Sequence, residues 1–408
     1  MPVDRRQFLL STPAVAAAGR WAMTSPVRPQ AGATPQLGKP LRERFPRTAT
    51  QTYLNSASQH PMGGHVLEAM ERHLHYEVFG GGDGREYFSR ADQTELKTRF
   101  GALINAEADE IAFVQSTSDG ENIVVAGMDL PRRGGNVVVD DLHFVTSLYM
   151  YKALEATGLE MRVVKHREGA IKTEEMAAAI DDDTRLVSLA LVSNINGYLE
   201  DIKGISDIAH QRGAYVYADM IQAVGAVPLD THALGIDFAA ASTFKWLMAE
   251  RGFGLLFVRR DLQEMVVPTT RWGHRQVQQF DREAWTWRTR PGAARYETGN
   301  ISEPLAAATL ASVRYIDELG VANIAAHAQR LVDRLQRELP AIGYPALTPA
   351  GNQSPIVAFE LPDPEATIRR VRDADIAVTI APNERRMRVS VSVFNDDDDI
   401  DRLLAALA

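Results

Sequence analysis

Cysteine is missing from all 408 residues. Its absence removes disulfides, thiolate metal sites, thiol nucleophiles and any chemistry that passes through a protein persulfide. No H-E-x-x-H pair occurs either, which argues against a zinc hydrolase, and no metal is expected. Positive charge is in deficit: 44 Lys and Arg stand against 53 Asp and Glu, a net of −9. No basic stripe runs along the chain, so nucleic acid is not an expected partner. Apolar runs long enough to span a membrane are lacking, and no membrane anchor is expected. What remains is 45% hydrophobic and 24% charged residues, an ordinary globular composition with room for two or three domains.

The first residues do not read as fold. In "DRRQFLLSTPAVAAAG", Arg5 and Arg6 precede Phe8, Leu9 and an alanine-rich run. This is the twin-arginine pattern, an export address read by a receptor rather than an anchor. Residues 1–33 are therefore expected to be a signal peptide, cut after Ala18 or Ala33. The expected location is periplasmic, or otherwise outside the cytoplasm.

Residues 34–65 read as an extended arm, in which only "TYLNSASQHP" looks structured. "HVLEAMERHLHYEV" and "ADQTELKTRFGALINA" have helical spacing, and the glycine-rich loop "FGGGDGRE" separates them. From about 111 onward, short apolar strands alternate with helices: "EIAFVQ", "NVVVDD", "EMRVVKH", "RLVSLALVS", "AYVYAD", "DFAAAS" and "GFGLLFV". That alternation implies an α/β fold, a three-layer sandwich around a mainly parallel sheet covered on both faces. A large domain is expected over 66–305. Residues 306–408 are expected to hold a long helix and a smaller α+β domain. The run "DDDDIDRLL" at 396–403 reads as a helix start favoured by the dipole.

In such folds chemistry gathers at the carboxyl ends of the strands. Ser116, Thr117 and Ser118 follow "EIAFVQ", and free N–H groups at the helix start make an anion site suited to phosphate. A plain Ser/Thr cap would look the same. His143 and Phe144 follow "NVVVDD", and Asn194 follows "LALVS". Asp219 and Gln222 follow "AYVYA", and Ser242 and Lys245 follow "DFAAA". Ser242 and Lys245 fit the S-x-x-K spacing of serine acyl-enzymes, but no S-x-N, Y-x-N or K-T-G follows them. The other chemistry for a lysine in this place is a Schiff base with a carbonyl cofactor. Pyridoxal 5′-phosphate needs these types together: an amine, a carboxylate against the pyridine nitrogen, a phosphate cradle and an aromatic cover.

Over roughly residues 50–408 the chain resembles the class V aminotransferases of the fold-type I pyridoxal phosphate enzymes. Cysteine desulfurases, isopenicillin N epimerase and kynureninase are relatives. The likeness rests on "STSDGENIV", "VSNINGYLEDI", "YADMIQAVGAVPLD", "STFKWLMAERGFGLLFV", "RYETGN" and "MRVSVSVFN". It implies that Lys245 is the Schiff-base lysine and Asp219 the partner of the pyridine nitrogen. Gln222 and Asn194 match residues that bond the phenolic oxygen, and Phe144 the group stacked on the ring. Thr117, Ser118 and Ser242 match phosphate contacts, with Asn300 reaching over from a second subunit of a homodimer. Arg388 is similar to the arginine that grips a substrate carboxylate. The resemblance implies an amino acid or amine as substrate and transamination as the reaction, with a C–S lyase or epimerase as the alternative. A non-catalytic binding protein on the same fold is a more distant one. Two positions depart from the desulfurase pattern: Phe244 replaces a histidine before the lysine, and Phe144 stands where many members stack a histidine. The aromatic-rich segment 271–290 is a candidate for setting substrate size.

Overall fold

A computed structural model describes residues 36–81, 88–268 and 272–408. The twin-arginine segment and most of the glycine-rich loop lie outside the described residues. In chain order the strands are β1 (Thr52–Tyr53), β2 (Ile111–Val114), β3 (Asn136–Asp140), β4 (Glu160–Val164) and β5 (Thr184–Ala190). Then come β6 (Tyr215–Asp219), β7 (Phe238–Ser242), β8 (Gly254–Val258), β9 (Val277–Asp281) and β10 (Thr286–Thr289). The last four are β11 (Ile356–Glu360), β12 (Ile376–Ala377), β13 (Thr379–Ala381) and β14 (Arg386–Ser390).

Seven of these form one sheet in the order β2-β8-β7-β6-β5-β3-β4. β3, β4, β5, β6 and β7 pair parallel, and β8 alone runs against its neighbours β7 and β2. The carboxyl ends of β2, β3, β5, β6 and β7 therefore share one edge. Alternate residues feed opposite layers, as the pleat requires. Val137 and Val139 join one core with Leu186, Tyr217 and Ala240, while Val138, Leu189, Ala239 and Ala241 join the other. Helices Thr117–Gly127 and Val145–Leu154 cover the first face through Val124, Val125 and Tyr151. Arg90–Ile104, Ile202–Gln211 and Glu303–Leu319 cover the second. This is the expected three-layer α/β sandwich.

A third core belongs to the smaller C-terminal part, where β11, β14 and β13 form an antiparallel sheet under Val321–Ala341 and Asp397–Leu407. The long helix expected at the start of 306–408 is two helices, Glu303–Leu319 and Val321–Ala341. Gly320 sits at φ +76° and ends the first, whose residues pack mostly in the large-sheet core; the second starts there with Ile324 and packs in the small core from Ala328 on. Residues 36–65 are not simply extended. They carry short helical turns, β1 pairs parallel with β12 in a two-stranded sheet of its own, and Asn55 bridges to Ser390 of β14, which ties this arm to the small sheet. The acidic run does start a helix: Asp396 caps Asp397–Leu407 in a reciprocal pair with Asp399. Among the described residues no helix is long and apolar enough to cross a membrane.

Candidate active site

The shared strand edge opens into a cavity of about 200 Å³. Thr117, Ser118, Phe144, Asn194, Asp219, Gln222, Ser242 and Lys245 all line it. Asp219 pairs across the sheet with Ala190 on β5 and Ala240 on β7. Two methyl groups as neighbours leave open space above the carboxylate, and Ala190 itself lines the cavity.

At one end stands the start of helix Thr117–Gly127, capped by Ser116, whose side chain accepts from Asp119 N at 3.1 Å. Gly120 lets this helix press onto β7, since a Cβ there would lie 2.7 Å from Ala240 Cβ. The approach locks the helix start to the strand end. Thr117 N donates to Ser242 Oγ at 2.9 Å, Ser242 N donates to Thr117 Oγ1 at 2.9 Å, and the two hydroxyls lie 3.1 Å apart. Helix N–H groups, two hydroxyls and a positive dipole end make this an anion cradle.

Lys245 lies three residues past β7, in a turn held from outside by the arm: His60 N donates to Phe244 O at 3.0 Å. Burial pushes its ammonium down to about 8; Asp219 resists that shift and Arg388 adds to it. Burial raises Asp219 to about 6, against the Ile221 N–H on Oδ1 (3.0 Å) and the charge of Lys245. An amine with a lowered proton affinity thus shares a buried pocket with a carboxylate whose proton affinity is raised. Pairs of this kind mark sites of proton transfer.

Gln222 is more committed than expected. Its Nε2 donates to Ala57 O at 3.0 Å and its Oε1 accepts from Trp246 Nε1 at 2.9 Å, so one amide hydrogen is left for the cavity. Asn194 has a buried Oδ1 with no protein partner. Arg388 comes from β14, outside the wall of the cavity, and reaches it through Asn194, whose carbonyl accepts from Nη1. Its Nη2 donates to Ser58 Oγ (2.6 Å) and Thr379 Oγ1 (3.0 Å), and its Nε is buried without a partner. Asn300 is exposed on the loop before helix Glu303–Leu319 and does not line the pocket of its own chain. Phe244, Ile221 and Val192 complete the wall. Segment 272–290 forms the β9–β10 hairpin, and none of its residues lines this cavity. Among the described residues one grouping could hold a cation, His73, Glu77 and Glu303, and none of the three lines it either.

The orphaned Asn194 Oδ1, the anion cradle, the buried Asp219 and the amine between them fit pyridoxal 5′-phosphate. The fold and this pocket define a fold-type I pyridoxal phosphate enzyme. The chain belongs to the class V aminotransferase family, whose model matches residues 52–403. It is 29% identical over 308 residues to a probable cysteine desulfurase of Methanothermobacter thermautotrophicus, covering 74% of this chain and 76% of that one. It is 26% identical over 376 residues to an uncharacterised aminotransferase of Bacillus subtilis, covering 91% and 98%. Two solved structures share the fold: an apo cysteine desulfurase of Thermococcus onnurineus NA1 (TM-score 0.82, 21% identity, 92% of this chain and 98% of that one) and the cystine C–S lyase C-DES with its product cysteine persulfide (TM-score 0.81, 20% identity, 89% and 98%).

Proposed function

We propose that this pyridoxal phosphate enzyme acts as an aminotransferase on an amino acid or amine-bearing metabolite, with Lys245 as the group that holds the cofactor and moves the proton. The observation that carries the reading is the presence of Lys245 and Asp219, each sensing the other's charge, in one buried pocket beside an anion cradle. When bound, the cofactor supplies an electron sink next to the substrate's α-carbon. The chain's residues supply the rest. Thr117, Ser118 and Ser242 hold the phosphate, and Phe144 covers the ring. Asp219 keeps a proton on the ring nitrogen by its negative charge. Asn194 and the free N–H of Gln222 meet the ring hydroxyl. Lys245 is uncharged for part of its time near pH 8, so it can take a proton from the substrate's α-carbon and hold it for return. Arg388, propped by Ser58, Thr379 and the Asn194 carbonyl, supplies the positive charge beside the cavity that draws a substrate carboxylate.

The absence of cysteine removes any route in which the chain itself accepts sulfur. A C–S lyase that releases its product directly remains the second reading, favoured by the likeness in fold to C-DES. Product analysis separates them. With amino acids added one at a time, stoichiometric conversion of the cofactor to its amine form, reversed by a keto acid, is expected. Release of sulfide and pyruvate with the cofactor regenerated would overturn transamination in favour of the lyase.

The same proposal includes a homodimer, to which Asn300 contributes across the interface. Supporting it, Leu67, Leu74 and Val78 form one exposed stripe on helix Gly64–Phe79, and Phe280, Trp285 and Trp287 stand exposed on the hairpin. Apolar surface of that kind favours a partner. It also includes export, on the strength of Arg5, Arg6 and the run that follows. A tagged full chain should reach a compartment outside the cytoplasm, and an R5K/R6K variant should stay inside. Equal export of both would remove that part.

A further inference from the structure

Glu121 lies four residues into the helix whose start forms the anion cradle, and it is only 2% exposed. Its Oε2 accepts from Ser147 Oγ at 2.6 Å, and its Oε1 accepts from the Tyr151 hydroxyl at 2.9 Å and from Ser188 Oγ at 3.0 Å. The directions of these bonds are fixed by a relay behind them. Phe144 N donates to His143 Nδ1 at 2.8 Å, so the imidazole carries its proton on Nε2. That nitrogen is 3.0 Å from Ser188 Oγ, which must then pass its own hydrogen to Glu121. Among the described residues no lysine or arginine pairs with Glu121; its nearest basic group is the His143 imidazole at 3.9 Å.

The position matters more than the bonds. Ser188 lies two residues before Ala190 on β5, opposite Tyr217, and Tyr217 lies two residues before Asp219 on β6. Residues two apart share a face of the sheet. Glu121 therefore stands against the same face as Asp219, one pleat below the cavity floor. The groups that face it are His143, Ser147 and Tyr151, Ser188 on β5, and Tyr217 and Asp219 on β6. Asp219 is the only other carboxyl group among them. We propose that Glu121 is a positioning residue that raises the proton affinity of the cofactor site from behind, acting through Asp219 on the ring nitrogen and the lysine link. This rests on the cofactor reading of Asp219 and Lys245.

Two carboxylates in one dry compartment do not ionise independently; the second to lose its proton meets the charge of the first. Burial raises Glu121 to about 7, the charge of Asp219 adds to that, and the Ser147, Tyr151 and Ser188 hydroxyls oppose it. Burial raises Asp219 as well. With both ionised, the compartment holds two negative charges behind the positive ring nitrogen and the protonated lysine link. Both positive forms are stabilised. Glu121→Gln keeps the size and the two hydroxyl contacts on Oε1 while removing the charge.

The test is a visible-absorption pH titration of pyridoxal phosphate on the reconstituted full chain, run on wild type and E121Q, with melting curves to verify the fold. The lysine-linked band of E121Q is expected to deprotonate at a lower pH, by on the order of one unit, while the cofactor still binds. Ser188→Ala weakens the ionised form of Glu121 and should shift the midpoint the same way by less, which carries the test if E121Q does not fold. Unchanged midpoints in the folded variants would overturn the role of Glu121 alone. A wild-type chain with no lysine-linked band would instead overturn the cofactor reading, and this inference with it.

Discussion

The cavity floor and the β9–β10 hairpin invert each other's chemistry. On the floor, ionisable groups are buried among alanines: Lys245 and Asp219 are 9% and 4% exposed. On the hairpin, aromatic rings face outward, with Trp285 74% exposed and Trp287 packed edge-on against Trp272 at 5.5 Å. Neither arrangement favours the isolated fold. Buried charge carries a desolvation penalty, and exposed indole forgoes burial. The floor suits a small charged ligand, and the exposed rings of the hairpin are the surface on which the proposed dimer rests. Departures from the ordinary burial rule thus locate function, and their sign tells what kind of ligand fits.

The contrast can be broken at the floor first. Lys245→Ala removes the proton carrier and should lower turnover by roughly 10²–10⁴-fold or more while the melting temperature stays near wild type. Residual activity within tenfold of wild type would contradict the role of Lys245. Arg388→Ala should raise KM about 10- to 100-fold for amino acids and leave amines without a carboxylate unaffected, because only the former use a charge-assisted bond. Equal effects on both substrates would place the carboxylate elsewhere.

On the other side, W285S/W287S should shift the purified chain from dimer to monomer in light scattering, with folding stability changed by no more than about 0.5 kcal/mol. An unaltered mass would separate the hairpin from the interface. The smallest effect comes from a buried acid that does not line the cavity. Burial raises Asp140 from 3.8 to about 7, and burial raises Glu200 too, with the charge of Asp140 adding to it. A folded chain that keeps a proton the unfolded chain releases loses stability as pH rises from 3.8 to about 7, and no further above that. Asp140→Asn should flatten this slope and gain about 1–2 kcal/mol at pH 8 relative to pH 5 in urea unfolding. Parallel slopes for the two proteins would show that the acid does not titrate in this window.

Much of this was legible in the chain itself. "VVVD", "LVSLA" and "FAAAS" are apolar without alternation because the sheet is covered on both sides, and the polar residue after each strand falls on one edge by topology alone. Eight of the expected residues line one cavity for that reason. What could not be read depends on contacts distant in sequence. The apolar spacing of 303–340 runs on through Gly320, so only its positive φ reveals the break. Gln222 is bonded to Ala57 and Trp246, and Arg388 is propped by Ser58 and Thr379, partners up to 330 residues away. Glu121 sits in "SDGEN", which looks like a solvated helix start; the turn of that helix against Ser147, Tyr151 and Ser188 takes it inside.

The central claim is that Lys245 holds the cofactor, and one chemical trap tests it. The chain would be loaded with pyridoxal phosphate, reduced with borohydride, digested and analysed by mass spectrometry. The account predicts one pyridoxyl group per chain, on the peptide containing Lys245. Label on a different lysine, or none under conditions where the cofactor is bound, would contradict it.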